Sequence, residues 1–162
     1  MLLQSKVDAN QAGKGGTTPL IFACEFGRDE VVQFLLQSKA DVNHATKGAS
    51  TPLSVAIAKG HNEIVQLLLQ RKVDVNQADK GGTTPLIIAC KTGHNEVVQL
   101  LLQSKADVNQ ADERGVTPLY AASRNGHNEV AQLLLQSKAD VNQADKGDIT
   151  PLKLPVDMAA MS

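Results

Sequence analysis

The sequence predicts an all-α fold, built as an array of stacked helix-turn-helix repeats with loops projecting between them. Thr-Pro-Leu recurs at Thr18, Thr51, Thr84, Thr117 and Thr150, always 33 residues apart. A fixed period of that length marks an array of one supersecondary unit rather than a domain with one central core. Within each period, Gly and Pro punctuate two apolar stretches at helical spacing. Rings are scarce, at 2% aromatic residues and no Trp, so the stacked faces must be filled by Leu, Val, Ile and Ala.

The stretch Asp79 to Ala111 displays the elements in order. Asp79-Lys80-Gly81-Gly82-Thr83 is a turn signature. Thr84 is a good N-cap, and Pro85 suits the first helical position because its missing N–H would have no partner there. Leu86, Ile88, Ala89 and Cys90 supply a short helix with a small-residue face. Gly93 is placed to end it in a left-handed conformation. Asn95 is the expected cap of the second helix, and Glu96 suits its positive end. Val97, Val98, Leu100, Leu101 and Leu102 form the broad apolar stripe of that helix, with Gln99 and Gln103 facing water. Asp107 to Ala111 should run extended into the next turn. One such repeat cannot bury its apolar face alone, so stability must come from stacking on neighbours.

Bulk properties narrow the class. Across 162 residues the formal charge is −1, with 42% hydrophobic and 20% charged residues, the balance of a soluble protein. No run of 18 or more apolar residues is present, so no membrane association is expected. The opening Met1-Leu2-Leu3-Gln4-Ser5-Lys6 lacks a signal-peptide core, and an intracellular, cytoplasmic location is the expectation. Cys24 and Cys90 lie two periods apart. Helices stacked at about 8–10 Å hold them too far apart for a disulfide, and buried free thiols are expected.

Chemistry-bearing residues recur at the period rather than cluster. His61, His94 and His127 are one repeat apart, too far to share one metal ion, and read as turn residues packed between helices. His44 stands alone and is expected at the surface. Asp41, Asp74, Asp107 and Asp140 should accept from loop backbone donors, not bind calcium. Lys14-Gly15-Gly16 and Lys80-Gly81-Gly82 lack the full phosphate-loop spacing. No catalytic residue, metal site or cofactor is expected.

Gly93-His94-Asn95-Glu96-Val97-Val98 and Ala106-Asp107-Val108-Asn109, with parallels at Gly60 to Val65 and Gly126 to Val130, resemble the ankyrin repeat family. The resemblance spans about residues 2–152. It implies an ankyrin-repeat solenoid with β-hairpin loops projecting to one side, and a concave protein-binding face of loops and first helices. It also implies a non-catalytic role. The chain departs from the family in three ways. Ile21, Ser54, Ile87, Tyr120 and Lys153 stand where the family has His after Thr-Pro-Leu, so a usual inter-repeat hydrogen bond is missing. Lys6, Lys39, Lys72, Lys105 and Lys138 replace the glycine that ends the second helix, and left-handed lysines are expected there. Ala49 and Asp148 replace a loop glycine found at Gly16, Gly82 and Gly115, so distorted loops are expected.

The expected layout is a single repeat domain over 1–162. It has a partial repeat at 1–12, full repeats at 13–45, 46–78, 79–111 and 112–144, and a degenerate partial repeat at 145–162. Pro155 falls where the last first helix should run. A fragment of a longer array and a truncated gene product both fit these ends. A natural chain from recent duplication and an engineered consensus array are also both open.

Candidate binding residues are those that differ between otherwise similar repeats. Lys14, Lys47, Lys80 and Arg114 lie in the loops. Phe26, Lys59, Lys91 and Arg124 lie at the first-helix ends, and Tyr120 with Phe26 supplies candidate aromatic anchors. The set is mostly basic, whereas Gln33, Gln66, Gln99 and Gln132 keep the second helices neutral. The expected function is a protein-interaction module taking a protein or peptide partner, with an acidic one favoured. Nucleic acid is not expected, because the face lacks stacking rings. The alternative is a structural spacer or scaffold segment with no partner of its own. A monomer is expected, with bare array ends as the place where self-association would begin.

Overall fold

The structure, a computed structural model, describes residues 8–143 and 146–147. Expectations for Met1 to Val7, including Lys6, and for Asp148, Thr150, Lys153, Pro155 and the tail lie outside the described residues. Eight α-helices follow one another, with no strand among the described residues. They are α1 (Pro19–Glu25), α2 (Asp29–Gln37), α3 (Pro52–Lys59), α4 (Asn62–Leu69), α5 (Pro85–Thr92), α6 (Asn95–Gln103), α7 (Pro118–Arg124) and α8 (Asn128–Gln136). Contacts divide the chain between Val73 and Asp74 into two units. In the first, α1 packs on α2 and α3, and α4 packs on α2 and α3. In the second, α5 packs on α6 and α7, and α8 packs on α6 and α7.

Each first helix starts as its sequence dictates. Thr18, Thr51, Thr84 and Thr117 hold extended backbone, and each hydroxyl accepts from the backbone N–H three residues on, at 3.3, 3.2, 3.2 and 3.1 Å. Thr51 and Ser54 complete a reciprocal capping box. Proline follows every cap, and the next leucine, at Leu20, Leu53, Leu86 or Leu119, is at most 3% exposed. Helices of seven to nine residues are too short to persist alone. Packing between pairs therefore supplies their stability.

The turn between paired helices is built around one glycine and one histidine. Gly93 is left-handed at φ 73°, and a Cβ there would lie 2.6 Å from the His127 ring. The same pairing sets Gly27, at φ 62°, 2.6 Å from His61. The imidazole Nε2 atoms reach the carbonyls of Lys91 at 3.1 Å and Glu25 at 3.4 Å. These histidines thus clamp one repeat to the preceding first helix. Asn95 does not cap α6. His94 is the N-cap and makes no side-chain capping bond, while Asn95 Nδ2 donates to Glu129 Oε2 on α8. A partner 34 residues away outcompetes the local backbone.

Second helices end on lysine. Lys39, Lys105 and Lys138 are left-handed, with φ of 62°, 67° and 67°. The following Ala40, Ala106 and Ala139 donate back to Leu35, Leu101 and Leu134, closing Schellman turns. Lys72 departs from the expectation and is not left-handed. Its helix ends one residue earlier, at Leu69. Val73 stands there where Ala40, Ala106 and Ala139 stand in other repeats.

Asparagines link neighbouring repeats within each unit. Asp41 N–H donates to Asn10 Oδ1 at 2.7 Å, and Asp107 and Asp140 N–H donate to Asn76 and Asn109 at 2.8 Å. Asn43 Nδ2 donates to the Lys72 carbonyl at 3.0 Å. Asp41, Asp74, Asp107 and Asp140 each accept from the N–H two residues on, within 3.0 Å. That arrangement orients the asparagines.

The loops are tight turns rather than β-ladders. Each closes on two short-range backbone bonds, such as Asp79 N–H to Thr83 O at 3.1 Å and Gly82 N–H to Asp79 O at 3.0 Å, rather than on a ladder. Ala49 does not distort its loop. It adopts φ 63°, and its N–H donates to the Thr46 carbonyl at 2.8 Å, just as Gly82 donates to Asp79 at 3.0 Å. His44 is half-buried, not at the surface, because its Nε2 meets the Gly16 carbonyl at 3.0 Å.

Candidate binding surface

Loop tips and first-helix ends carry the candidate residues, and carboxylates in the second unit hold the tips in place. Asp79 Oδ1 accepts from Gly81 and Thr83 N–H at 2.9 and 2.8 Å. Lys80 is thereby left exposed at the tip. Asp112 does the same for Arg114 and Val116 N–H, both at 2.9 Å. Its second oxygen accepts from the Arg114 guanidinium at 2.9 Å. Neighbouring loops are tied by Glu113 N–H to the Gly81 carbonyl at 2.9 Å, and by Lys146 N–H to Arg114 at 3.0 Å. In the first unit, Lys47 N–H donates to Gly15 at 2.9 Å. Lys14 opens a 3-10 turn, Lys14–Gly16, and is exposed.

Burial pushes the Asp112 carboxyl up, but the Arg114 side chain, the Val116 and Arg114 N–H groups and the Arg114 charge bring it below the usual carboxylate range. A depressed folded pKa contributes stability above the unfolded value, and that stability is lost as pH falls through the folded one. Asp112→Asn keeps an acceptor for the backbone and removes the charge. It should destabilise the chain by about 1 kcal/mol at neutral pH. The gap between variant and parent should close in urea melts from roughly pH 5 to pH 2.

Ion pairs neutralise part of the basic set. Lys59 Nζ lies 3.5 Å from Glu25 Oε1, with both side chains about half exposed. Such a pair adds little stability, yet it removes one free positive charge. Arg114 is paired with Asp112, while its side chain remains 71% exposed. Arg124 is exposed at the end of α7, and Lys91 is half-buried with its carbonyl under His127. Tyr120 is only 3% exposed. It occupies the position of buried Ile21 and Ile87, so the ring fills the interior and is not a surface anchor.

Phe26 is 51% exposed, and its ring centroid lies 4.6 Å from that of Phe22. Phe22 and Phe34, not singled out from sequence, are more exposed still, at 57% and 66%. Every phenylalanine of the chain falls in one repeat, and that clustering was the available signal.

Both thiols are free and buried, and burial alone pushes Cys24 up to about 12 and raises Cys90 as well. Such thiols are not nucleophiles at neutral pH. No group of three or more His, Cys, Asp or Glu among the described residues could hold a metal ion. No helix among the described residues is long and apolar enough to cross a membrane.

Comparison with known families gives a match to a model described as ankyrin repeats (3 copies), over residues 1–79 and 53–145. No curated protein matches the chain.

Proposed function

The chain belongs to the ankyrin repeat family, whose repeats are generally protein–protein interaction modules, and from that premise we propose that it binds an acidic protein or peptide through its loop tips and first-helix ends. One observation supports this reading above others. At the loop tips and first-helix ends, residues that vary between repeats, such as Lys80, Lys91, Arg124 and Asn125, are exposed or half-buried, whereas the variation at Ile21, Ser54, Ile87 and Tyr120 is buried. Thr84, Leu86 and Ala89, which repeat on the packed face, are buried, while the repeated Gln33, Gln66, Gln99 and Gln132 are exposed. The loop tips and first-helix ends are where variation and exposure coincide.

Among the described residues, once the two ion pairs are discounted, Lys14 and Lys47 supply the candidate positive charge in the first unit, and Lys80, Lys91 and Arg124 in the second. Phe26 is the remaining aromatic anchor. Replacing Lys80, Lys91 and Arg124 together by Glu should reduce partner recovery roughly tenfold or more, at unchanged helicity. Parent complexes should also weaken as salt rises, since exposed charges are screened beyond about 10 Å at 0.1 M. Undiminished recovery by a folded triple variant would overturn the basic-surface reading.

A further inference from the structure

Asn125-Gly126 is the one Asn-Gly pair in the chain; every other asparagine is followed by Gln, Glu or His. The pair closes α7. Asn125 is its C-cap, and Gly126 takes the left-handed conformation of the turn at φ 72°. In the other repeats Phe26, Lys59 and Thr92 precede the turn glycine. That position faces water even where a further repeat is stacked, since Thr92 is exposed although α7 lies on α5. The exposure of Asn125 is thus a property of its place in the repeat.

The carboxamide of an asparagine is a weak electrophile, and the next backbone nitrogen is the right number of bonds away to close a five-membered ring on it. A side chain on the following residue crowds that attack, and glycine has none. We propose that Asn125 is a self-modification site, at which the chain loses ammonia from the turn between α7 and α8. The Gly126 nitrogen gives up its proton and bonds to Asn125 Cγ, the Cγ–Nδ2 bond breaks, and ammonia leaves carrying that proton. Water then opens the cyclic imide at either carbonyl. One opening gives aspartate. The other gives isoaspartate, with the main chain rerouted through the side chain.

Two hydrogen bonds hold the turn shut. Gly126 N–H donates to the Ser123 carbonyl at 3.2 Å, and Asn125 Nδ2 donates to the Ala121 carbonyl at 2.7 Å. At ψ 3° the Gly126 nitrogen is also turned away from the side chain it must reach. The folded turn is therefore closed to the reaction, and fraying of the last turn of α7 opens it. Ends of elements fray at little free-energy cost. The pair should react about tenfold slower in the folded chain than in the unfolded one, a factor equivalent to an opening cost of about 1.4 kcal/mol.

Both products undo the turn. A carboxylate at position 125 loses the donor to Ala121 and sets negative charge at the C-terminal end of α7, where the helix dipole disfavours it. Isoaspartate inserts a further main-chain carbon before Gly126. That shifts the His127 N–H from the Ala122 carbonyl, now at 3.0 Å, and draws the His127 ring off the Lys91 carbonyl. The reaction thus converts time in solution into weaker coupling of α7 and α8 to α5. It needs no partner, so it stands or falls apart from the binding surface.

Incubation of the full chain in mildly alkaline buffer, native and in urea, followed by tryptic digestion and mass spectrometry, tests the proposal. The peptide 125–138 should gain the mass of OH exchanged for NH2 and split into aspartate and isoaspartate forms. Fragmentation should place the change at Asn125 and not at Asn128. Asn125→Gln should abolish it at unchanged helicity. The modified chain, separated by its extra negative charge, should melt below the parent, as should Asn125→Asp. An intact Asn125 in the native chain once the urea-unfolded chain has reacted fully would overturn the proposal, as would equal loss of ammonia at the other asparagines. A modified chain that melts like the parent would overturn its effect on the histidine clamp.

Discussion

Replacing Gly93 by alanine should lower stability by about 2–3 kcal/mol, the sum of two separable costs. An L-residue at φ 73° is strained by about 1–2 kcal/mol. The added methyl would also lie 2.6 Å from the His127 ring. The ring can swing away, but it then gives up the Lys91 carbonyl, a loss of about 1 kcal/mol. For a chain of this size, the melting midpoint should fall by roughly 5–10 °C. Gly126 separates the two costs. It has a similar φ, 72°, and no neighbour within 4 Å of an added Cβ among the described residues. Gly126→Ala should therefore show the conformational cost alone. Equal losses at the two positions would mean that the histidine clamp makes no steric demand. Combining Gly93→Ala with His127→Ala should cost less than the two changes summed.

The lysine turns offer an effect of opposite sign. Changing Lys39, Lys105 and Lys138 together to glycine should stabilise the chain by roughly 2–3 kcal/mol. Each change relieves left-handed strain of about 1–2 kcal/mol, less the extra freedom that glycine gives the unfolded chain. The three sites lie in separate repeats, so their contributions should add. Lys72 is the internal control. It is not left-handed, so Lys72→Gly has no strain to relieve and should be neutral or destabilising. Thermal melts of the triple variant and of Lys72→Gly decide the matter. A gain at Lys72 equal to that at Lys105 would refute the strain account.

Much of this architecture can be read from the chain because it is written locally. A Thr-Pro pair starts a helix with groups that lie three residues apart, and glycine after the apolar stretch ends it. The left-handed lysines follow from register alone. What escaped the sequence depends on groups about 30 residues away. Asn95 resembles a cap until Glu129 is brought beside it. His44 looks exposed until the Gly16 carbonyl arrives. Lys72 breaks the lysine pattern, and the structure offers no account of it beyond the valine that replaces alanine at the next position. Of the candidate surface, exposure of Lys80, Arg114 and Arg124 was legible from variation between repeats. The inward turn of Tyr120 was not, because polarity alone does not say which way an amphipathic ring faces.

The asparagine and histidine bonds share one property that bears on how the protein is made. Within each unit, every one of them joins a repeat to its immediate neighbour, as Asp41 to Asn10 or His127 to Lys91. Those seen among the described residues lie 28 to 36 residues apart, about one period. A chain leaving the ribosome thus needs only the last completed stretch as a template for the next one, and synthesis order can serve as assembly order. Short sequence separations of this kind also favour fast folding, because little loop entropy is lost before each contact forms.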